Sequence, residues 1–413
     1  MAAVIGEHGT TSSSSAIAFI ELAMTGATPY ALDAARSLGH RIVLVTSNPA
    51  KYVAAGIDLA KVDEVLEIET DDYNAEEIAE ACRCRRVLGV IALDDHSQQI
   101  AATVREMLHL PGATPRAIDL CQDKRQTRLA VTGIGREVGF VEVEPSTSES
   151  PLGYPAIVKP STGSSSLGVY ICDDDDSFRS ALLNASRSVN STGSAVPIIV
   201  EEAVEGPEFS AELAWETSTQ RWILVGLTQT HISPAPHRRE LGVVFPGMPG
   251  NQIAPEIEEV LQRWLRAVGL EGTVAHVELR LTPNGPALIE INPRVAGGDI
   301  PRIVQHSTGV DLVSHYVGLH CGQSADVVLG PVEDAGSIWF ISPKEEGVLV
   351  SLEQPDRPWP DGVDVVYRPL PPKMSVTKQS RLAYVVATAP TPEQALNLAV
   401  GHADAHRFEM GAS

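Results

Sequence analysis

The sequence predicts a mixed protein: an α/β layer with a parallel sheet, then an α+β body, then a strand-rich C-terminal lid or cap region. Three observations carry that expectation. From residue 16, apolar strand-like runs alternate with amphipathic helical runs; from about 155, short β-type runs are separated by glycines; the tail returns to strands and closes in a helix. A chain of 413 residues, 43% hydrophobic and 20% charged, is long enough for two or three cores. The expected divisions are a lead-in at 1–15, a first domain at 16–115, a second at 116–325 with a small lid at 151–205, and a C-terminal α+β region at 326–413.

Taken in order, "AIAFIEL" reads as a strand, "TPYALDAARSLG" as a helix ended by Gly39, and "HRIVLVTS" as a second strand. "VDEVLEIET" is a short strand, "NAEEIAEACRCR" a helix, "VLGVIALDD" a strand and "SQQIAATVREMLHL" a helix. This rhythm predicts a Rossmann-type parallel layer, but no G-x-G-x-x-G follows the first strand, so the dinucleotide fingerprint is lacking. Residues 116–136 read as a basic helical stretch, followed by the Pro/Ser-rich linker "EPSTSESPLGYP". Helices are expected at about 177–187 and 255–268, strands at "GSIWFISP" and "RLAYVVATA", and a last helix at "TPEQALNLAVGHADAHR".

The formal net charge of -22 argues against a nucleic-acid or anionic-membrane partner. Any anionic ligand then needs locally concentrated Lys and Arg. Five scattered cysteines make no disulfide framework and point to a reducing, cytoplasmic setting. The first fifteen residues lack the pattern of a signal peptide, and no run reaches the roughly 18 apolar residues of a membrane span.

Four motifs carry chemistry. In "IVKPSTGSSSLGVY" (157–170), a strand bearing Lys159 runs into a small, polar turn whose backbone N–H groups suit a polyphosphate. In "VAHVELRLTPNGPALIEINPRVAGG" (274–298), two alternating strands flank a turn. A three-residue loop at 283–285 would set Glu278 opposite Glu290 and His276 opposite Asn292, all on one face. Opposed carboxylates repel unless a cation lies between them, and oxygen ligands at this spacing suit Mg²⁺. A solvated sheet face is the plainer alternative. Arg294 sits two residues beyond Asn292, where it would stabilise charge moving in phosphoryl transfer or pair with one of the carboxylates; Gly297 and Gly298 either add bare N–H groups suited to a small carboxylate or make a tight turn with no ligand. "IIVEEAVEGPEFS" ends a strand in acids, with Glu201, Val204 and Glu208 at intervals of three and four, and Lys124 lies in "CQDKRQTR"; each alone is weak evidence. The segment 229–249 is dense in His and Arg (His231, His237, Arg238, Arg239) and either faces a substrate carboxylate or is a solvated loop.

In this order the motifs resemble the ATP-grasp superfamily, from about 17 to 405, with Glu followed by Glu-x-Asn-x-Arg the most specific piece. The resemblance implies that Lys124 and Lys159 touch the ATP phosphates and that Ser164, Ser165, Ser166 and Leu167 cover them. It also implies Glu201 and Val204 at the adenine edge, Glu208 on the ribose, and Glu278, Glu290 and Asn292 around two Mg²⁺ ions, with Mn²⁺ as a substitute. Arg294 would neutralise the transferred phosphoryl group, and His276, Gly297, Gly298 and Arg238 would meet the substrate. "EINPRVAGGDIPRIVQHSTGVDL" is most similar to the L-amino acid ligases, which make dipeptides or related amides, often in antibiotic pathways; dimers are common among such enzymes. The implied reaction joins a small-molecule carboxylate to an amine through an acyl phosphate. "NPRVAGGD" departs from the usual Ala before the arginine and Leu-Gly after it, which leaves the substrates open. A carboxylase-like enzyme using bicarbonate is the competing expectation, and a non-catalytic nucleotide-binding regulator the remote one.

Overall fold

The computed structural model describes residues 15–24, 26–68, 74–163, 168–188, 195–233, 239–324, 326–355, 359–370, 373–378 and 380–411. The first layer is the expected parallel sheet. Strands β1 (Ala16–Ile20), β2 (Arg41–Thr46), β3 (Glu64–Glu67) and β4 (Val87–Ile91) lie in the order β3-β2-β1-β4. Every residue of β1 is buried, as a central parallel strand covered on both faces requires. Helices α1 (Thr28–Ser37), α2 (Ala50–Ala54), α3 (Ala75–Cys84) and α4 (Asp95–Leu108) connect and follow the strands. Asp94 caps α4, accepting from the Ser97 N–H at 2.9 Å.

The basic stretch at 116–136 is two helices rather than one. Between α5 (Pro115–Gln122) and α6 (Lys124–Ala130) sits Asp123, whose carboxylate accepts from the N–H groups of Arg125 and Gln126 at 3.0 and 3.3 Å. That cap restarts the helix and delivers Lys124 as its first residue.

Three strands of the segment expected as a lid (151–205), β6 (Ala156–Pro160), β7 (Tyr170–Cys172) and β8 (Ile198–Glu202), form a sheet with β5 (Phe140–Val143), which precedes that segment, in the order β5-β8-β6-β7. Helix α7 (Asp175–Ala185) covers it, burying Phe178, Ala181 and Leu182. Its Asp174–Ser177 capping box explains why the helix starts two residues before the expected position.

The body is an eight-stranded sheet in the order β13-β12-β9-β10-β11-β14-β18-β16. Its strands are β9 (Glu208–Glu216), β10 (Arg221–Ile232), β11 (Glu240–Phe245), β12 (Val274–Thr282), β13 (Gly285–Asn292), β14 (Ala335–Ile341), β16 (Val363–Tyr367) and β18 (Ala383–Ala389). The last three come from the C-terminal region, so part of it extends the central sheet. Strands β15 (Gly347–Glu353), β17 (Met374–Val376) and β19 (Arg407–Gly411) make a separate three-stranded sheet, and α11 (Pro392–Asp404) packs near β14 and β18. On one face α8 (Pro255–Ala267) buries Leu261, Trp264 and Leu265.

Helices α9 (Ile300–Thr308) and α10 (Leu312–His320) join the layers. Val313, Tyr316 and Val317 of α10 share one core with Phe19 and Leu32 of the first domain and Ala214 and Val274 of the body. A helix buried nearly all round is what two flanking layers demand. The β1–α1 loop also meets the loop before α9. A Cβ at Gly26, whose φ is +74°, would lie 2.0 Å from the Gly298 carbonyl oxygen, so only glycine fits this approach.

Candidate active site

The β12–β13 hairpin pairs Glu278 with Glu290 and His276 with Asn292, as the alternation predicts. It gets there differently. The turn has two residues, not three: Thr282 pairs with Gly285, its hydroxyl donating to the Gly285 carbonyl at 2.8 Å and accepting from the Asn284 N–H at 3.1 Å. The register then slips by one between Glu278 and Leu279, leaving Ile289 as the extra residue of a bulge. Bulge and short turn offset each other, and the two carboxylates stay opposed.

Burial pushes the Glu290 carboxyl above the usual range, and the Glu278 charge adds to this, against the pull of Lys124. Burial also works against the Glu278 charge, but His276 beside it holds that carboxyl below the usual range. Two opposed carboxylates with Asn292 one step along the same face fit a hard divalent cation. Among the described residues no group of three or more His, Cys, Asp or Glu forms a protein-only cage. Mg²⁺ is a hard cation that keeps several waters and takes substrate phosphate oxygens beside one or two carboxylates.

Lys124 is buried, and its Nζ lies 2.9 Å from Glu290 and donates to the Gly163 carbonyl at 2.9 Å. Its own N–H donates to the Ser161 carbonyl at 2.8 Å, so the start of the lid loop docks on the first turn of α6. Lys159, next to last in β6, holds its Nζ 2.6 Å from Glu201 on β8. Arg128, one turn after Lys124, brings Nε within 2.9 Å of the same carboxylate and also donates to the Ile289 carbonyl at 3.0 Å. Burial draws the Lys159 ammonium below its ordinary value, with Glu201 opposing; burial would raise Glu201, but Lys159 and Arg128 hold it down. The Glu201 side chain is thus committed to two cations. The Val204 N–H turns back to the Glu202 carbonyl at 3.1 Å. Glu208 pairs with Arg280 at 2.7 Å, yet burial pushes its carboxyl up to about 7.

Arg294 does not pair with the hairpin carboxylates. Its guanidinium grips Asp95 of α4 through two bonds of 2.6 Å, a fork-to-fork contact that brings the first domain to the site. Gly297 and Gly298 follow it in the loop that meets Gly26. His276 lies on the sheet face that carries Glu212 and Glu278: the residue is 8% exposed, with Nδ1 3.0 Å from Glu212 and Nε2 3.6 Å from Glu278. Burial alone would lower its pKa, but Glu212 and then Glu278 hold the imidazolium at about 10. In the His/Arg-rich segment, Arg239 donates to the Lys378 carbonyl, and burial lowers the pKa of His231. Ser164, Ser165, Ser166, Leu167, His237 and Arg238 lie outside the described residues.

The structure thus brings Lys124, Lys159, Glu201, Glu278, Glu290, Asn292 and Arg294 into one neighbourhood and adds Arg128, Asp95 and Glu212. Each addition had a faint signal. Arg128 lies four residues after Lys124, on the same helix face. Asp95 follows β4 at the C-terminal edge of a parallel sheet, where ligand sites of α/β layers lie. Glu212 continues the alternation of Glu208 and Ser210 on β9.

Sequence comparison places the chain in a family. Residues 152–302 match the ATP-grasp domain and residues 32–112 the ATP-grasp N-terminal domain, together more than half the chain. The chain belongs to the ATP-grasp superfamily. Its relatives include "Uncharacterized protein y4rH" of Sinorhizobium fredii, 28% identical over 92% of this chain and 80% of that one. Carnosine synthase 1 of Homo sapiens is 26% identical over 70% of this chain, which spans only 38% of that protein. In fold, the chain is similar to the L-amino acid ligase from Bacillus licheniformis, with a TM-score of 0.78 and 18% identity over 96% of this chain and 99% of that one. Among the described residues no helix is long and apolar enough to cross a membrane.

Proposed function

We propose that the protein is an ATP-dependent carboxylate–amine ligase that joins a small amino acid or dicarboxylic acid to the amine of an amino acid through an acyl phosphate. The observation that carries this reading is the opposed pair Glu278 and Glu290, with Lys124 against one member and Arg294 close by.

A carboxylate is a poor electrophile until one of its oxygens becomes a leaving group. Its oxygen attacks the γ-phosphorus of ATP, the bond to the β-phosphate oxygen breaks, and ADP departs. The amine nitrogen then attacks the acyl carbon, the C–O bond to phosphate breaks, and the amine gives up a proton. Lys124 and Lys159 bind the ATP phosphates, and Arg294 offsets the charge on the phosphoryl group as it moves. Glu278, Glu290 and Asn292 would hold Mg²⁺, which supplies positive charge that lets two anions approach. Gly297 and Gly298 offer N–H groups to the substrate carboxylate, and the lid keeps water from the acyl phosphate.

The test is phosphate release from Mg·ATP across a panel of amino and dicarboxylic acids, with hydroxylamine as a surrogate amine and mass spectrometry of the products. A hydroxamate from one acid is expected and names the electrophile. ADP release that depends on bicarbonate, with no hydroxamate from any acid, would replace this reading with a carboxylase.

A further inference from the structure

We infer that Glu212 and His276 form a buried positioning relay that orients Glu278, and thereby sets the affinity of the hairpin for a divalent cation. The inference rests on the reading of Glu278 and Glu290 as metal-holding residues, and adds to it two side chains that touch neither metal nor substrate.

The register makes the relay. Strand β12 pairs with β9 so that His276 lies opposite Glu212 and Glu278 opposite Ser210; β9 pairs with β10 so that Ser210 lies opposite Thr228. Alternation then places all five side chains on one face. Glu212 is 1% exposed, and its Oε1 accepts from the Ser210 hydroxyl at 2.8 Å and the Thr228 hydroxyl at 3.2 Å. Its two oxygens lie 3.1 and 3.0 Å from His276 Nδ1. Donors on three adjacent strands thus fix this carboxylate, and it fixes the plane of the imidazole ring.

The far nitrogen of that ring is what acts. His276 Nε2 lies 3.6 Å from Glu278 Oε1, within ion-pair range but longer than a hydrogen bond. At that distance the ring aligns the carboxylate without closing a bond to it, so its oxygens remain available to a cation. Among the described residues, His276 is the basic side chain within 4 Å of Glu278; Arg280, two residues further along, is turned to Glu208. A carboxylate buried as deeply as Glu212 is costly to keep. Structural packing would be served as well by an apolar pair, whereas orienting a metal ligand needs a polar one.

The experiment is Mn²⁺ binding in the presence of ADP, read by electron paramagnetic resonance, for the wild type and for Glu290→Gln, Glu212→Gln, His276→Asn and His276→Gln. Asparagine copies Nδ1 and loses the arm towards Glu278, whereas glutamine copies Nε2. Glu212→Gln and His276→Asn are expected to weaken Mn²⁺ binding about tenfold or more. His276→Gln should lose less, and the kcat of each should recover towards wild type at saturating metal. Wild-type Mn²⁺ affinity in both Glu212→Gln and His276→Asn, with Glu290→Gln weakened, would overturn the relay and leave the metal hairpin standing. Unchanged affinity in Glu290→Gln would overturn both. If Glu212→Gln does not fold, His276→Asn decides, because it keeps the bond to Glu212.

Discussion

At the residue scale, Glu290 combines two demands that conflict in a resting protein. It faces a like charge on Glu278 on a half-buried sheet face, and Lys124 compensates it from another element. Such a pair is poor design for stability and sound design for holding a cation. Glu290→Gln removes the repulsion and leaves an oxygen for Lys124, so the melting temperature should equal or slightly exceed that of the wild type. Turnover should fall by about 100-fold or more, because the metal loses a charged ligand. Most of its ADP production surviving would show that the hairpin is not the metal site. The sequence already pointed to this residue through ligand type and spacing. It did not reveal that the Arg294 partner is Asp95, because 199 positions separate the two and no local pattern joins them.

At the scale of elements, α4 serves as more than a connection. Its first turn carries Asp95, where a carboxylate also favours the positive end of the helix dipole, and that turn reaches across to the loop after β13. Asp95→Asn should lower kcat about tenfold or more while leaving the ATP KM close to wild type, because the guanidinium loses its charged fork but Lys124 and Lys159, proposed to bind the ATP phosphates, are untouched. An unchanged kcat would mean that Arg294 needs no holding from the first domain. The hairpin and the helix pair around Asp123 teach a related lesson. Strand alternation was readable and delivered the correct opposed residues, but the turn length was not, because the Thr282 hydroxyl tightened it and a bulge repaid the difference.

At the scale of the whole molecule, the first domain and the body are joined through α10, and His320 at its end is buried beside Arg105 of α4. Burial, then Arg105, lowers its pKa from 6.5 to about 3. Between those values the unfolded chain binds a proton that the folded chain refuses. This site therefore makes stability fall as pH drops from 6.5 towards 3, by up to about 1.4 kcal/mol per pH unit. His320→Gln should flatten that acid limb in denaturant titrations at several pH values, whatever it does to stability at neutral pH. A limb as steep as the wild type's would place the acid sensitivity elsewhere. His276 has the opposite sign, its contribution present below pH 6.5 and lost as pH rises towards about 10.

By itself the sequence determined the periodic elements, the parallel first layer and the opposed carboxylates of the hairpin, since each rests on spacing within a few dozen residues. Tertiary structure decided what those residues face. It set His276 against Glu212, gave Glu201 two cations, sent Arg294 to Asp95 and drew C-terminal strands into the central sheet. Those outcomes depend on strand order and on which helix face meets which layer, and such choices come from burying apolar surface across the whole chain rather than from any local pattern.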